Sequence, residues 1–147
     1  MKEKTNLLGA FVAVAIYILY ILMFVFRLLE MSEFGHWIAS VQFLSVIPFI
    51  YLLVKAPQLE RPKLYYVQIT LMLIFLFVEL MLDYVMKFEF RQINWMVISY
   101  VTLFFAATGG LIGVVAHIEK RKWVISAVFL YFVMGALAFI QRAVTGL

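Results

Sequence analysis

Residues 64–86 read LYYVQITLMLIFLFVELMLDYVM, and the reading of this stretch decides the fold. Apart from Gln68, Thr70, Glu79 and Asp83, every residue in it is aliphatic or aromatic. A helix rises about 1.5 Å per residue, so roughly 20 such residues cross the ~30 Å of hydrocarbon in a bilayer. The run shows no alternation of apolar and polar residues, and an open strand in lipid would leave its backbone N–H and C=O groups without partners. The stretch therefore predicts a membrane-spanning helix.

Four further runs repeat the pattern: Leu7–Leu29, Trp37–Val54, Asn94–Ala116 and Trp123–Ala143. The connectors Glu30–His36, Lys55–Lys63, Lys87–Ile93 and His117–Lys122 are too short to cross a bilayer again. Consecutive helices are thus expected to run antiparallel, and residues 1–147 to form a single all-α domain, an integral membrane bundle of five transmembrane helices. Lys2 and Lys4 before the first run imitate a signal peptide, but that run is long and leads to Arg27 and Glu30, with no small-residue cleavage site, so it reads as a retained first span.

Composition agrees with this reading. Of 147 residues, 67% are hydrophobic and 14% charged, and the mean hydropathy is +1.06. A soluble domain is about half apolar and about a quarter charged, so soluble, disordered and nucleic-acid-binding chains are excluded as classes. The chain contains no cysteine, which removes disulfides, thiolate metal sites and thioester or prenyl anchors.

Lysine and arginine collect on one side of the alternating spans. The N-terminus and the second and fourth connectors carry Lys2, Lys4, Lys55, Arg61, Lys63, Lys120, Arg121 and Lys122; the opposite side has Arg27, Lys87, Arg91 and Arg142. Basic residues accumulate in the cytoplasm, so the expected location is the plasma (inner) membrane, with the N-terminus cytoplasmic and the C-terminus outside.

The carboxylates in the quoted stretch supply the candidate site. Gln68, Met72, Phe75, Glu79, Asp83 and Lys87 follow one another in steps of three and four, which return to one face of a helix. An ionised carboxylate inside the bilayer costs about 2.5–3.5 kcal/mol on insertion scales, so Glu79 should face protein and find a partner. Arg27 near the end of the first span and Arg142 near the end of the fifth reach a similar depth. Arg27, Glu79, Asp83 and Arg142, with Lys87 one turn beyond Asp83, thus form an expected charge-balanced cluster in the outer half of the bundle. Tyr17 and Tyr20 lie on the stripe of the first span that ends at Arg27, and their hydroxyls need partners in hydrocarbon.

Two other patterns concern packing and metals. Gly109 and Gly113 make a G-x-x-x-G pair, offset by Ala106 and Gly110, and small residues of this spacing let two helix backbones approach closely. Pro48 is expected to kink the second span. Glu33 and His36 have the Glu-x-x-His spacing of carboxylate-bridged metal bundles, but the other histidine, His117, falls on the opposite side. No metal and no cofactor are expected.

Three functions fit these residues. The first is transport of an ion, a proton or a small polar solute through the charged cluster. The second is a non-catalytic accessory or scaffold subunit, in which the charges are structural and the small-residue face docks a homo-oligomer or another membrane protein. The third is an outer-leaflet enzyme or receptor for a lipophilic anion, with Arg27 and Arg142 holding a carboxylate or phosphate. No catalytic signature is present, so a non-enzymatic role is the expectation, with the lipid bilayer as the expected partner and no nucleic acid.

Overall fold

The computed structural model describes residues 2–86 and 90–145, without the side chains of Ser32, Arg91 and Thr145. Among these residues the chain is helical and contains no strand. The elements are α1 (Lys2–Leu28), α2 (Ser32–Phe43), α3 (Val46–Lys55), α4 (Lys63–Glu79), a π-helical turn (Leu80–Val85), a 3-10 turn (Phe90–Gln92), α5 (Asn94–Ala116) and α6 (Arg121–Thr145). Five helices are long and apolar enough to cross a membrane: 2–28, 33–55, 63–85, 94–116 and 121–144. They extend past the hydropathic runs at most ends, and α2 takes in residues 32–36, which the sequence suggests are loop. Hydropathy marks where lipid begins and ends, whereas backbone hydrogen bonding continues a turn or two into polar sequence.

The second spanning segment is broken between α2 and α3, and the cause is Pro48. A proline in a helix has no N–H for the carbonyl four residues earlier, and its ring crowds that carbonyl. The carbonyl in question is that of Leu44, which takes the Ile47 N–H at 3.2 Å instead, one residue short of α-helical spacing. The Ser45 hydroxyl closes the gap by donating to the Gln42 carbonyl at 2.6 Å. The break therefore sits one turn before the proline.

Turns between helices use glutamate where glycine is commoner. Glu30 (φ 58°) and Glu60 (φ 52°) are left-handed residues just past helical turns. In each case the next N–H bonds five residues back, Met31 to Phe26 at 2.8 Å and Arg61 to Ala56 at 3.2 Å. That pair of features is the Schellman closure, which satisfies carbonyls that a helix end leaves open.

α1 is the centre of the bundle. Half of its most apolar window is buried, against 11% for α6. α1 packs along α6 and also touches α2, α3 and α5, while α4 pairs with α5 and α3. Lipid offers no hydrophobic drive for helices to associate, so contact dispersion and interhelical hydrogen bonds must hold them. Both are visible in the core: Ala10, Ala13, Tyr17, Tyr20 and Phe24 form one buried stripe of α1. The Tyr17 hydroxyl donates to the backbone carbonyl of Thr108 on α5, and Tyr131 of α6 donates to the carbonyl of Phe105 at 3.2 Å.

Candidate functional site

Glu79 ends α4 and is 3% exposed. Its two oxygens are held from two other helices. Tyr20 of α1 donates to one at 3.2 Å, and Tyr100 of α5 donates to the other at 3.3 Å. Rings close around them: Tyr20 meets Phe104 edge-on at 5.0 Å, and Phe75 lies 5.3 Å from Tyr100 and 5.4 Å from Phe104. Among the described residues no lysine or arginine lies within 4.0 Å of the carboxylate. The charges that act on it from further off are Asp83, on the following π turn, and Arg27 of α1. Aromatic hydroxyls thus hold the carboxylate directly, with the Arg27 charge acting on it from further off.

The π turn changes the register after Glu79. Met86 N–H reaches back five residues to Met81 at 2.8 Å, so each turn holds more residues than an α-turn does. A step of four no longer completes a revolution. Asp83 is accordingly half-buried where Glu79 is buried. Lys87, which the sequence places one turn further on, lies outside the described residues.

Arg27 and Arg142 share one cleft. Both line a cleft of about 80 Å³ between α1, α5 and α6. Gln141, Tyr20 and Tyr100 complete its polar lining, and Phe24, Val97, Phe104, Phe105, Ala138 and Phe139 supply apolar walls. Tyr20 and Tyr100 therefore both line the cleft and hold Glu79. Each arginine lies in the last turn of its helix, where a cation is stabilised by the partial negative charge of the carbonyl end. Among the described residues neither has a carboxylate within 4.0 Å.

The remaining expected residues lie elsewhere. Tyr17 faces α5 and α6, edge-on to Tyr131 at 6.1 Å. Glu33 is exposed, and the His36 ring stands edge-on to Tyr84 at 6.2 Å; among the described residues no three His, Asp or Glu side chains gather as a metal site would require. Gly110 and Gly113 meet Gln68 of α4, and Gly109 meets Tyr131 of α6. The small residues thus serve two contacts within the chain, and Ala106 is exposed.

Sequence reasoning misses Tyr100 and Gln141 at the cleft. Gln141 is the single amide in the fifth run and adjoins Arg142, a signal that was there to read; Tyr100 has no such mark among its aromatic neighbours. It also misses a polar cluster at the other end of the bundle. Arg61 is 8% exposed, and its Nη1 donates to His117 Nδ1 at 3.3 Å. Its Nη2 donates to Asn6 Oδ1, and its guanidinium lies 4.9 Å over the Tyr65 ring. For His117 Nδ1 to accept, the imidazole must be neutral with its proton on Nε2. Burial, then the positive charges of Arg61 and Lys2, push His117 below the usual histidine range. This cluster pins the start of α1, the loop before α4 and the end of α5 together.

Comparison with protein-family models, with curated proteins and with solved structures returns no match.

Proposed function

We propose that this protein binds an amphiphilic anion, seating a carboxylate, phosphate or sulfonate head between Arg27 and Arg142 while the apolar tail remains among the flanking rings and the lipid. One observation carries the reading: two arginines from opposite ends of the chain line one aromatic cleft with no described carboxylate in ion-pair reach. Charge-assisted contacts of arginine with such oxyanions are the strong class of hydrogen bond, and the planar guanidinium suits them. Size narrows the choice. A drug-sized ligand fills about 300–1,000 Å³, whereas a water in the liquid takes about 30 Å³. A cleft of about 80 Å³ fits a head group and not a whole molecule.

In this reading the helices alternate in direction, the basic end with Arg61 and Lys63 is cytoplasmic, and the cleft opens in the outer half of the cell membrane. The Lys and Arg distribution supports that orientation.

The test is binding of a dodecyl sulfonate to the protein in nanodiscs of uncharged lipid, native and with Arg27→Gln and Arg142→Gln. Each charge-assisted contact is worth about 1.5–3 kcal/mol, so each single variant should lose about tenfold or more in affinity. Equal affinity in the double variant removes the reading and favours a scaffold.

Transport of a proton or ion is a second reading, favoured by a buried carboxylate at a π turn, beside a span that Pro48 breaks. Helix irregularities of this kind accompany functional sites in membrane bundles.

A further inference from the structure

We propose that binding of an anion in the Arg27–Arg142 cleft is coupled to uptake of one proton from water by Glu79. The inference rests on the cleft reading above and extends it from a seat to a proton-linked seat. The geometry behind it is the pair of tyrosines that serve both sides. Tyr20 and Tyr100 line the cleft and also donate to the two oxygens of one buried carboxylate.

The charges around the site, two carboxylates and two arginines, are close to even. Facing Glu79 are Tyr20 and Arg27 from α1, Tyr100 from α5, and Asp83 and Tyr84 from the π turn that continues α4. Across the cleft α6 contributes Arg142 and Gln141, and His36 of α2 stands behind Tyr84. An arriving anion adds a third negative charge to Glu79 and Asp83 in a site of low dielectric. Coulomb repulsion there is several-fold stronger than in water, and one proton restores the balance. Glu79 is the acceptor because it is the buried carboxylate held by two tyrosines that line the cleft, and it has no described cation in contact.

Protonation also changes what the tyrosines can do. A carboxylate only accepts hydrogen bonds, whereas a carboxylic acid accepts on one oxygen and donates from the other. Once Glu79 holds the proton, its O–H can donate to the hydroxyl oxygen of one tyrosine. That tyrosine then no longer needs to donate to Glu79, and its own hydrogen is free to turn into the cleft towards the bound anion. Uptake of the proton therefore converts a hydroxyl committed to Glu79 into a third donor for the ligand, beside the two arginines. By linkage, whatever raises proton binding when the anion is present raises anion affinity when the proton is present.

The experiment uses the whole chain in nanodiscs of uncharged lipid and a dodecyl sulfonate with a terminal trifluoromethyl group, followed by fluorine NMR. The sulfonate head stays ionised throughout, so any pH dependence belongs to the protein. Native protein should bind about tenfold more tightly at about pH 5.5 than at about pH 7.5, within the limit of about a hundredfold that one proton per anion allows over two pH units. An indicator dye in weak buffer should record the uptake. Glu79→Gln, which keeps an uncharged group there, should bind tightly at both pH values and take up nothing. Asp83→Asn should keep the native pH dependence. Native binding that is flat with pH but still lost in Arg27→Gln overturns the coupling and leaves the cleft reading standing. A pH dependence abolished by Asp83→Asn and retained in Glu79→Gln also overturns it. No binding by native protein or by Glu79→Gln overturns both.

Discussion

Tyr20→Phe and Tyr100→Phe each delete one hydroxyl from Glu79 while leaving the aromatic packing in place. The donor distances of 3.2 and 3.3 Å lie beyond the ~2.5–3.0 Å range of good O–H···O bonds, so each belongs at the weak end of its class. Hydrogen bonds to charged acceptors contribute about 1.5–3 kcal/mol in water-soluble proteins, but side-chain bonds inside membranes average about 0.6 and reach about 1.7 kcal/mol. The expected cost of each single change is therefore about 1 kcal/mol. Removing both hydroxyls leaves a carboxylate with neither donor, and the ~2.5–3.5 kcal/mol insertion cost of that group is then no longer offset. The double change should cost more than its parts together. In a Glu79→Leu background the carboxylate is gone, so Tyr20→Phe should cost nothing. The assay is reversible unfolding in mixed micelles, followed by circular dichroism, as a double-mutant cycle. If Tyr20→Phe destabilises both backgrounds equally, the hydroxyl is not serving Glu79 and the account of the site fails.

Two further outcomes follow from packing and protonation. His117 binds its proton less readily folded than unfolded, so the unfolded chain holds more protons between the lowered value and the ordinary one near 6.5; stability is full above about 6.5 and falls as the solution is acidified below it, and His117→Gln should flatten that acid limb in a melting curve. At Gly110 a Cβ would already lie 3.4–3.6 Å from Cγ, Cβ and Cα of Gln68, so Gly110→Leu should cost about 1–3 kcal/mol by overpacking, while Ala106→Leu on the exposed face should stay within about 0.5 kcal/mol; equal melting temperatures for the two would refute the α4–α5 contact.

The spans could be read from the sequence because bilayer thickness acts on every residue of a run, and a long apolar stretch has few alternatives. Pro48 likewise announces a defect, since its missing N–H is a covalent fact; where the break falls depends on how Leu44 and Ser45 are re-bonded. The site was harder. Glu79 and the two arginines stand out by cost alone, but cost does not say which partner answers it. Counting charges favours a salt bridge, whereas Tyr20 and Tyr100 meet Glu79 through packing between helices that lie 59 and 21 residues apart in the chain. The π turn adds a second obstacle, because the face shared by Glu79 and Asp83 assumes unbroken 3.6-residue periodicity. Arg61 was legible only as a topology signal and His117 only as a histidine on the side opposite His36, since neither the Schellman turn at Glu60 nor the packing of that turn against α5 has a hydropathic trace.

The two hydroxyls that hold Glu79 come from opposite sides of it along the chain, and that sets an order of events during biosynthesis. Tyr20 leaves the ribosome 59 residues ahead of Glu79, and Tyr100 follows 21 residues behind. At about 5–20 residues per second, the first donor is made roughly 3–12 seconds before the carboxylate emerges, and the second arrives about 1–4 seconds after it. A nascent chain inserting span by span thus has a donor ready when its most costly residue enters lipid. α6, which follows α5, then brings Arg142 and completes the cleft beside a carboxylate already secured.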